Sequence, residues 1–146
     1  MSSNRIQLEG GDGDAYVYCE NLADAALSPG HILQLNADGE VLKHNTTGGN
    51  GLCRVAVEDA LQGKTVATAY AAAALVPNHI QRRGTRFQAL LASGQDISPG
   101  DPLMSNGSGC LTMWTSGSDY VVLAWADEEL DLSSGSTDTL LAVRAN

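Results

Sequence analysis

The segments Leu27–Val41 and Ile97–Leu111 carry one skeleton twice. Ser28 and Ser98, Pro29 and Pro99, Gly30 and Gly100, Leu33 and Leu103, Asn36 and Asn106, Gly39 and Gly109, and Val41 and Leu111 pair at a constant spacing of 70 residues, without a gap. Each copy reads as a turn, a short strand, a second turn and another strand. Proline fixes φ and the glycine after it reaches φ > 0, which suits the centre of a tight turn. Asn106-Gly107 tolerates the positive φ that a primed hairpin turn needs. The match extends outward. Tyr16–Cys19 aligns with Arg86–Ala89 at the same spacing, and Val55–Leu61 resembles Leu123–Glu128 with the spacing slipped by one or two residues. The duplicated units run over about residues 15–61 and 85–130.

A chain of 146 residues buries enough surface for one domain, so the two copies are expected as halves of a single core spanning 15–146. Residues 1–14 are polar and rich in Gly and Asp, and are expected as a flexible N-terminal arm. Asp12 and Asp14 start a spacing that calcium loops use, but Tyr16 and Tyr18 fall where oxygen ligands are required. Charged residues make up only 17% of the chain, which fits a surface partly covered by a partner. The formal charge of −9 repels phosphate backbones, so nucleic acid is not the expected partner. No apolar run approaches a membrane span, and the first seven residues lack the apolar stretch of a signal peptide. Cys19, Cys53 and Cys110 stand apart, which reads as a chain folded in a reducing cytoplasm, with no disulfide and no metal.

Short strands are expected throughout. Tyr16–Cys19, Ile32–Leu35, Val41–His44, Thr65–Tyr70, Leu111–Trp114, Tyr120–Ala126 and Leu140–Val143 read as strands. Cys53–Glu58 alternates, with Cys53, Val55 and Val57 on one face, and Arg86–Ala92 points Phe87, Ala89 and Leu91 inward. Asn21–Ala26 reads as one helical turn. Ala71–Val76 reads as a turn into a strand, ended by Pro77. About ten short strands at this spacing predict an all-β fold, a compact sandwich or tulip-like barrel.

No catalytic constellation emerges. There is no nucleophile elbow and no phosphate loop. Cys19, His31, His44 and Cys53 lack the close ligand pairs of a zinc site, and core thiols are the simpler reading. Asp127, Glu128 and Glu129 read as a solvated loop before they read as acid and base. Trp114 and Trp125 could form a sugar platform, but Trp125 sits among small strand residues as a core or interface residue does. No cofactor is expected, and no enzyme.

From Arg82 to Leu111 the sequence runs Arg-Arg-Gly-Thr, then Phe87, then Ala-Leu-Leu-Ala-Ser-Gly-Gln-Asp-Ile-Ser-Pro-Gly-Asp-Pro-Leu, then Asn-Gly-Ser-Gly-Cys-Leu. This resembles the head decoration, or cement, proteins of tailed bacteriophages, over roughly residues 15–145. Ala71–Ala74 departs from the glycine-containing turn of that pattern. The resemblance implies a compact β-sandwich or β-tulip homotrimer. Such a trimer would clamp major capsid protein subunits on the outer head surface, at three-fold and quasi-three-fold points, against DNA pressure. It carries over no catalytic residues. The expected partner contacts are Arg5, Ile6 and Leu8 on the arm, with Arg82, Arg83 and Arg86 as guanidinium forks for carboxylates on a neighbour. The arginines read equally well as local neutralisation of acids such as Asp96 or Asp127. Two other classes stay open: a phage tail or baseplate β module, and a β-barrel ligand-binding or hydrolase domain.

Overall fold

The computed structural model describes residues 4–9, 15–116, 119–135 and 137–146. In chain order the strands are β1 (Tyr16–Leu22), β2 (Ile32–Leu35), β3 (Val41–Lys43), β4 (Arg54–Ala56), β5 (Leu75–Gln81), β6 (Arg86–Leu91), β7 (Asp96–Ile97), β8 (Pro102–Ser105), β9 (Leu111–Met113), β10 (Ala124–Ala126), β11 (Leu130–Asp131) and β12 (Thr139–Ala145). The first lobe is a sheet in the order β1-β5-β4-β2-β3. In the second lobe β6, β12, β10, β8 and β9 follow in the same order and close into a barrel. Strands β7 and β11 pair as a separate ribbon.

The duplication is visible bond by bond. In the first hairpin Leu33, Gln34 and Leu35 face Lys43, Leu42 and Val41; seventy residues on, Leu103, Met104 and Ser105 face Met113, Thr112 and Leu111. The side-chain Oδ1 of Asn36 accepts from the N–H groups of Asp38 and Glu40 at 3.0 and 2.9 Å, and that of Asn106 from Ser108 and Cys110 at 2.8 and 3.1 Å. A short side-chain carbonyl closes such a turn in place of the backbone, which is why asparagine stands there twice. Gly30 and Gly100 sit at φ 92° and 91°. Their N–H groups reach Ala56 and Ala126 at 2.9 and 2.8 Å.

Val55 faces Ile32 as Trp125 faces Pro102, so β4 and β10 keep the spacing of 70 and Val55 answers to Trp125, not to Leu123. The length changes lie elsewhere. His79 pairs Val55 where Arg144 pairs Trp125, and Tyr18 faces His79 where Arg86 faces Arg144. Tyr18 therefore answers to Arg86, a spacing two residues shorter than the sequence alignment suggests. Even the closure repeats: the parallel pair Leu91–Leu111 of the barrel matches a single parallel bridge, Ala23–Val41, in the first lobe.

Packing explains why only one lobe closes. Phe87, Ala89, Leu91, Leu103, Ala124, Leu141 and Val143 are buried in the second lobe. At the places of Phe87, Ala89, Ala124 and Val143 the first lobe has Cys19, Asn21, Arg54 and Asn78. The last three form a polar chain, with the Asn78 amide donating to Asn21 at 3.0 Å and the Arg54 guanidinium donating to Asn78 at 2.6 Å. Without a phenylalanine inside, apolar burial is left to a smaller cluster of Ala23, Leu27, Leu33, Val41, Ala56, Tyr70 and Val76. The expected single core is therefore two. The larger one takes Ile32, Cys53, Val55 and Val57 from the first lobe across the seam into the second.

Several expectations are corrected. Asn21–Ala26 is not a helical turn: β1 continues to Leu22, because Asn21 is satisfied inside by Asn78. Thr65–Tyr70 forms turns, with the Thr68 N–H bonded to Thr65, and only Tyr70 pairs, with Leu27. Tyr120–Leu123 stays outside the strand that begins at Ala124. Pro77 lies within β5 rather than ending it; it sits beyond the reach of β4, and its carbonyl still accepts from Val57 at 3.0 Å. Ala71–Ala74 is a turn into β5, with Ala73 at φ 62°.

The expected arm over 1–14 is different where it is described. Ile6 is fully buried. The Gln88 N–H donates to the Ile6 carbonyl at 2.7 Å and the Leu8 N–H to the Arg86 carbonyl at 3.3 Å, so this stretch runs as an extra strand along the edge of β6. Residues 1–3 and 10–14 of the expected arm lie outside the described residues.

Candidate interaction surface

The structure separates the six residues expected to touch partners. Ile6 points into the core and is not an outward contact. Arg86 is spent internally: its guanidinium pairs with Asp127, which also accepts from the Arg144 Nε–H at 3.0 Å. Arg144 reaches Glu9 as well, at 3.2 Å. Sequence reading missed Arg144. The register that sets Arg144 opposite Arg86 across β6 and β12 appears only in the fold, and two cations so placed call for a carboxylate between them. Burial alone would raise the Asp127 pKa, but the hydrogen bonds from Arg86 and Arg144 outweigh it and hold the carboxyl below its usual range. The acidic run is thus not simply solvated, since the Glu128 carboxylate also accepts from the Ala142 N–H at 2.7 Å. Arg5, Arg82 and Arg83 are exposed and Leu8 is half-buried. Arg5 and Leu8 line one surface groove of about 380 Å³ with Tyr16 and Glu58.

Exposed large apolar residues concentrate on the first lobe. Among the described residues they are Val17, Tyr18, Leu22, Leu35, Leu52, Leu61 and Leu75 there, and Trp125 alone on the second. Tyr18, Leu22, Leu61 and Leu75 lie on or near the outer face of β1 and β5. Trp125 is 41% exposed, so it is not a core residue. Its indole N–H donates to Asn146 at 3.0 Å.

Two histidines and two thiols are held in their uncharged forms. His79 stacks on Tyr16 with ring centroids 3.8 Å apart, and its Nδ1 lies 2.9 Å from the side-chain Oε1 of Gln7. Burial lowers its pKa from 6.5 to about 4. His31 takes the place of Asp101 in the repeated turn. Its Nδ1 accepts from the Ser28 N–H at 2.9 Å, as the Asp101 carboxylate accepts from Ser98 at 2.8 Å. Burial first, and then the charge of Lys43, bring it down to about 4 as well. Both rings are neutral at pH 7. A folded pKa below the unfolded one means stability present above 6.5 and lost as pH falls towards 4. After allowance for water at the ring edges, about 1–2 kcal/mol is expected to go per histidine. Urea unfolding at pH 7 and pH 4.5 checks this; a midpoint unchanged between them contradicts it. Burial pushes the Cys53 thiol up to about 12, and burial together with Asp138 does the same at Cys110, so both are held as thiols at neutral pH. Among the described residues no group of three or more His, Cys, Asp and Glu side chains is placed to hold a metal.

The chain matches no family model and no curated protein. A solved structure does share the fold: the head fiber gp8.5 N base of bacteriophage phi29, at a TM-score of 0.58 and 15% identity. The likeness covers 90% of this chain and 94% of that one, so both lobes are included.

Proposed function

We propose that this chain is a structural protein of a tailed-phage head, and more specifically a homotrimeric decoration protein that binds the outer capsid surface and stabilises it. The observation that carries the proposal is the fold shared along nearly the whole chain with the base of a phage head fiber. The repeated turn motif, which resembles head decoration proteins, supports it independently. The physical character of the surface agrees with a clamp. The charge of −9 suits a position away from packaged DNA, and His31, His79, Cys53 and Cys110 are buried and held uncharged. The exposed apolar residues and Arg5, Leu8, Arg82 and Arg83 are the contacts proposed for the neighbouring subunits and the shell.

A trimer at a three-fold point makes three copies of each contact at once. Each contact can then be weak, because binding one site raises the effective concentration at the next, and avidity exceeds a single contact by about 10²–10⁴. Purified protein is expected to co-sediment with mature heads and to saturate at a fixed stoichiometry. Heads without it are expected to break at lower temperature. A protein that stays in the supernatant at every concentration contradicts the proposal.

A further inference from the structure

The two lobes pack head to tail, and the same contact is left open at both ends of the chain. At the seam the Gly30 turn of the first lobe sits on β6 and β12. The Leu90 N–H donates to the Gly30 carbonyl at 2.9 Å, and a Cβ on Gly30 would lie 2.5 Å from Leu140 Cδ2. Beside it Pro29 is buried, and so are Ile32 and Val55 on the outer face of β2 and β4. The repeat supplies a second head. Its counterparts are Pro99, Gly100, Pro102 and Trp125. Pro99 and Gly100 are exposed, nothing lies within 4 Å of a Cβ on Gly100, and Trp125 is 41% exposed. It supplies a second tail as well. Leu90 and Leu140 answer to Leu22 and Leu75, which face each other across β1 and β5 and are 48% and 53% exposed. The Ala23 N–H is given to Ala74 on the β5 side, so strand alternation points the Leu22 N–H to the open edge, as Leu90 points its own at Gly30.

We propose that copies of this chain associate through this open pair, the Pro99–Gly100 turn and Trp125 of one copy seating on Leu22 and Leu75 of the next. The occupant is a second copy because the chain already contains the fitted partner of each face. A near half-exposed tryptophan is an anchor such a contact needs at its centre, and the two exposed leucines give it an apolar seat. Head and tail are different surfaces, so the contact is heterologous and closes into a ring when its rotation divides a full turn. The inference deepens the proposed trimer by naming the surface that would build it, and it is tested without any capsid.

The test is the mass in solution of the full chain and of two variants, Leu75→Glu and Trp125→Glu. Both positions are exposed in the single chain, so each variant is expected to keep the far-UV circular dichroism of the wild type; Pro99→Glu replaces Trp125→Glu if that variant does not fold. The wild type is expected at a multiple of 15.2 kDa, three-fold in a closed trimer, and each variant at one copy. The mixture decides the geometry. Leu75→Glu keeps an intact head and Trp125→Glu an intact tail, so together they form a pair of two copies that neither forms alone. A monomeric wild type, variants that keep the wild-type mass, or a mixture that stays monomeric each overturn the proposal. None of these outcomes touches head binding, which is measured separately.

Discussion

Ile6→Ala is expected to lower the free energy of unfolding by about 2–5 kcal/mol. The side chain is fully buried in the larger core, 81 and 82 residues in sequence from Phe87 and Gln88. Truncation removes apolar burial and leaves a cavity that β6 and β12 cannot fill, because both are held in the closed barrel. The Ile6 N–H, bonded to Glu58 at 3.0 Å, also ties this strand to the first lobe, so the loss reaches the seam. Urea unfolding measures it, with Leu61→Ala as the comparison. Leu61 is 99% exposed and its removal is expected to cost under about 0.5 kcal/mol. Equal effects at the two positions contradict the placement of the N-terminal strand. Deleting residues 1–14 is accordingly expected to destabilise the domain rather than to remove a dispensable arm.

Gly30→Ala and Gly100→Ala are expected to differ sharply, although they are the same substitution at the same place in the repeat. Both glycines have φ near 90°, so both variants carry the strain of an L side chain there, about 1–2 kcal/mol. Only at Gly30 does the new methyl meet packed atoms, with Leu140 at 2.5 Å and Leu90 at 3.2 Å. Overpacking adds about 1–3 kcal/mol there and opens the seam between lobes. At Gly100 the methyl enters open space in the single chain. Thermal unfolding of the dilute proteins reads the difference; identical melting contradicts the seam.

The sequence carried the repeat because turn chemistry is local. Pro29-Gly30 and Pro99-Gly100, with Asn36 and Asn106, fix conformations that few other residues accept, and the hairpin registers follow from them. Inward Phe87, Ala89 and Leu91 were readable from alternation. What hid was long-range. Asn21 read as part of a helical turn and Arg54 as the strand face opposite Val55, yet both are satisfied inside the first lobe through Asn78. Val55 and Trp125 occupy one place in the repeat, but only Val55 has a lobe to pack against, so burial there is decided by the neighbour and not by the strand. Ile6 looked like an arm residue because its strand has no partner nearby in sequence. Of the candidate contacts, Arg86 follows the neutralising reading and pairs with Asp127, whereas Arg144, which shares that carboxylate, stayed hidden because the register that joins it to Arg86 spans more than fifty residues.

The most direct measurement is a cryo-electron microscopy reconstruction of phage heads incubated with the purified protein. The proposed function predicts added density on the outside of the shell at the three-fold points, three two-lobed subunits at each, with Trp125 of one against Leu22 and Leu75 of the next. Heads that carry no added density, or density only on the inner, DNA-facing side, contradict it.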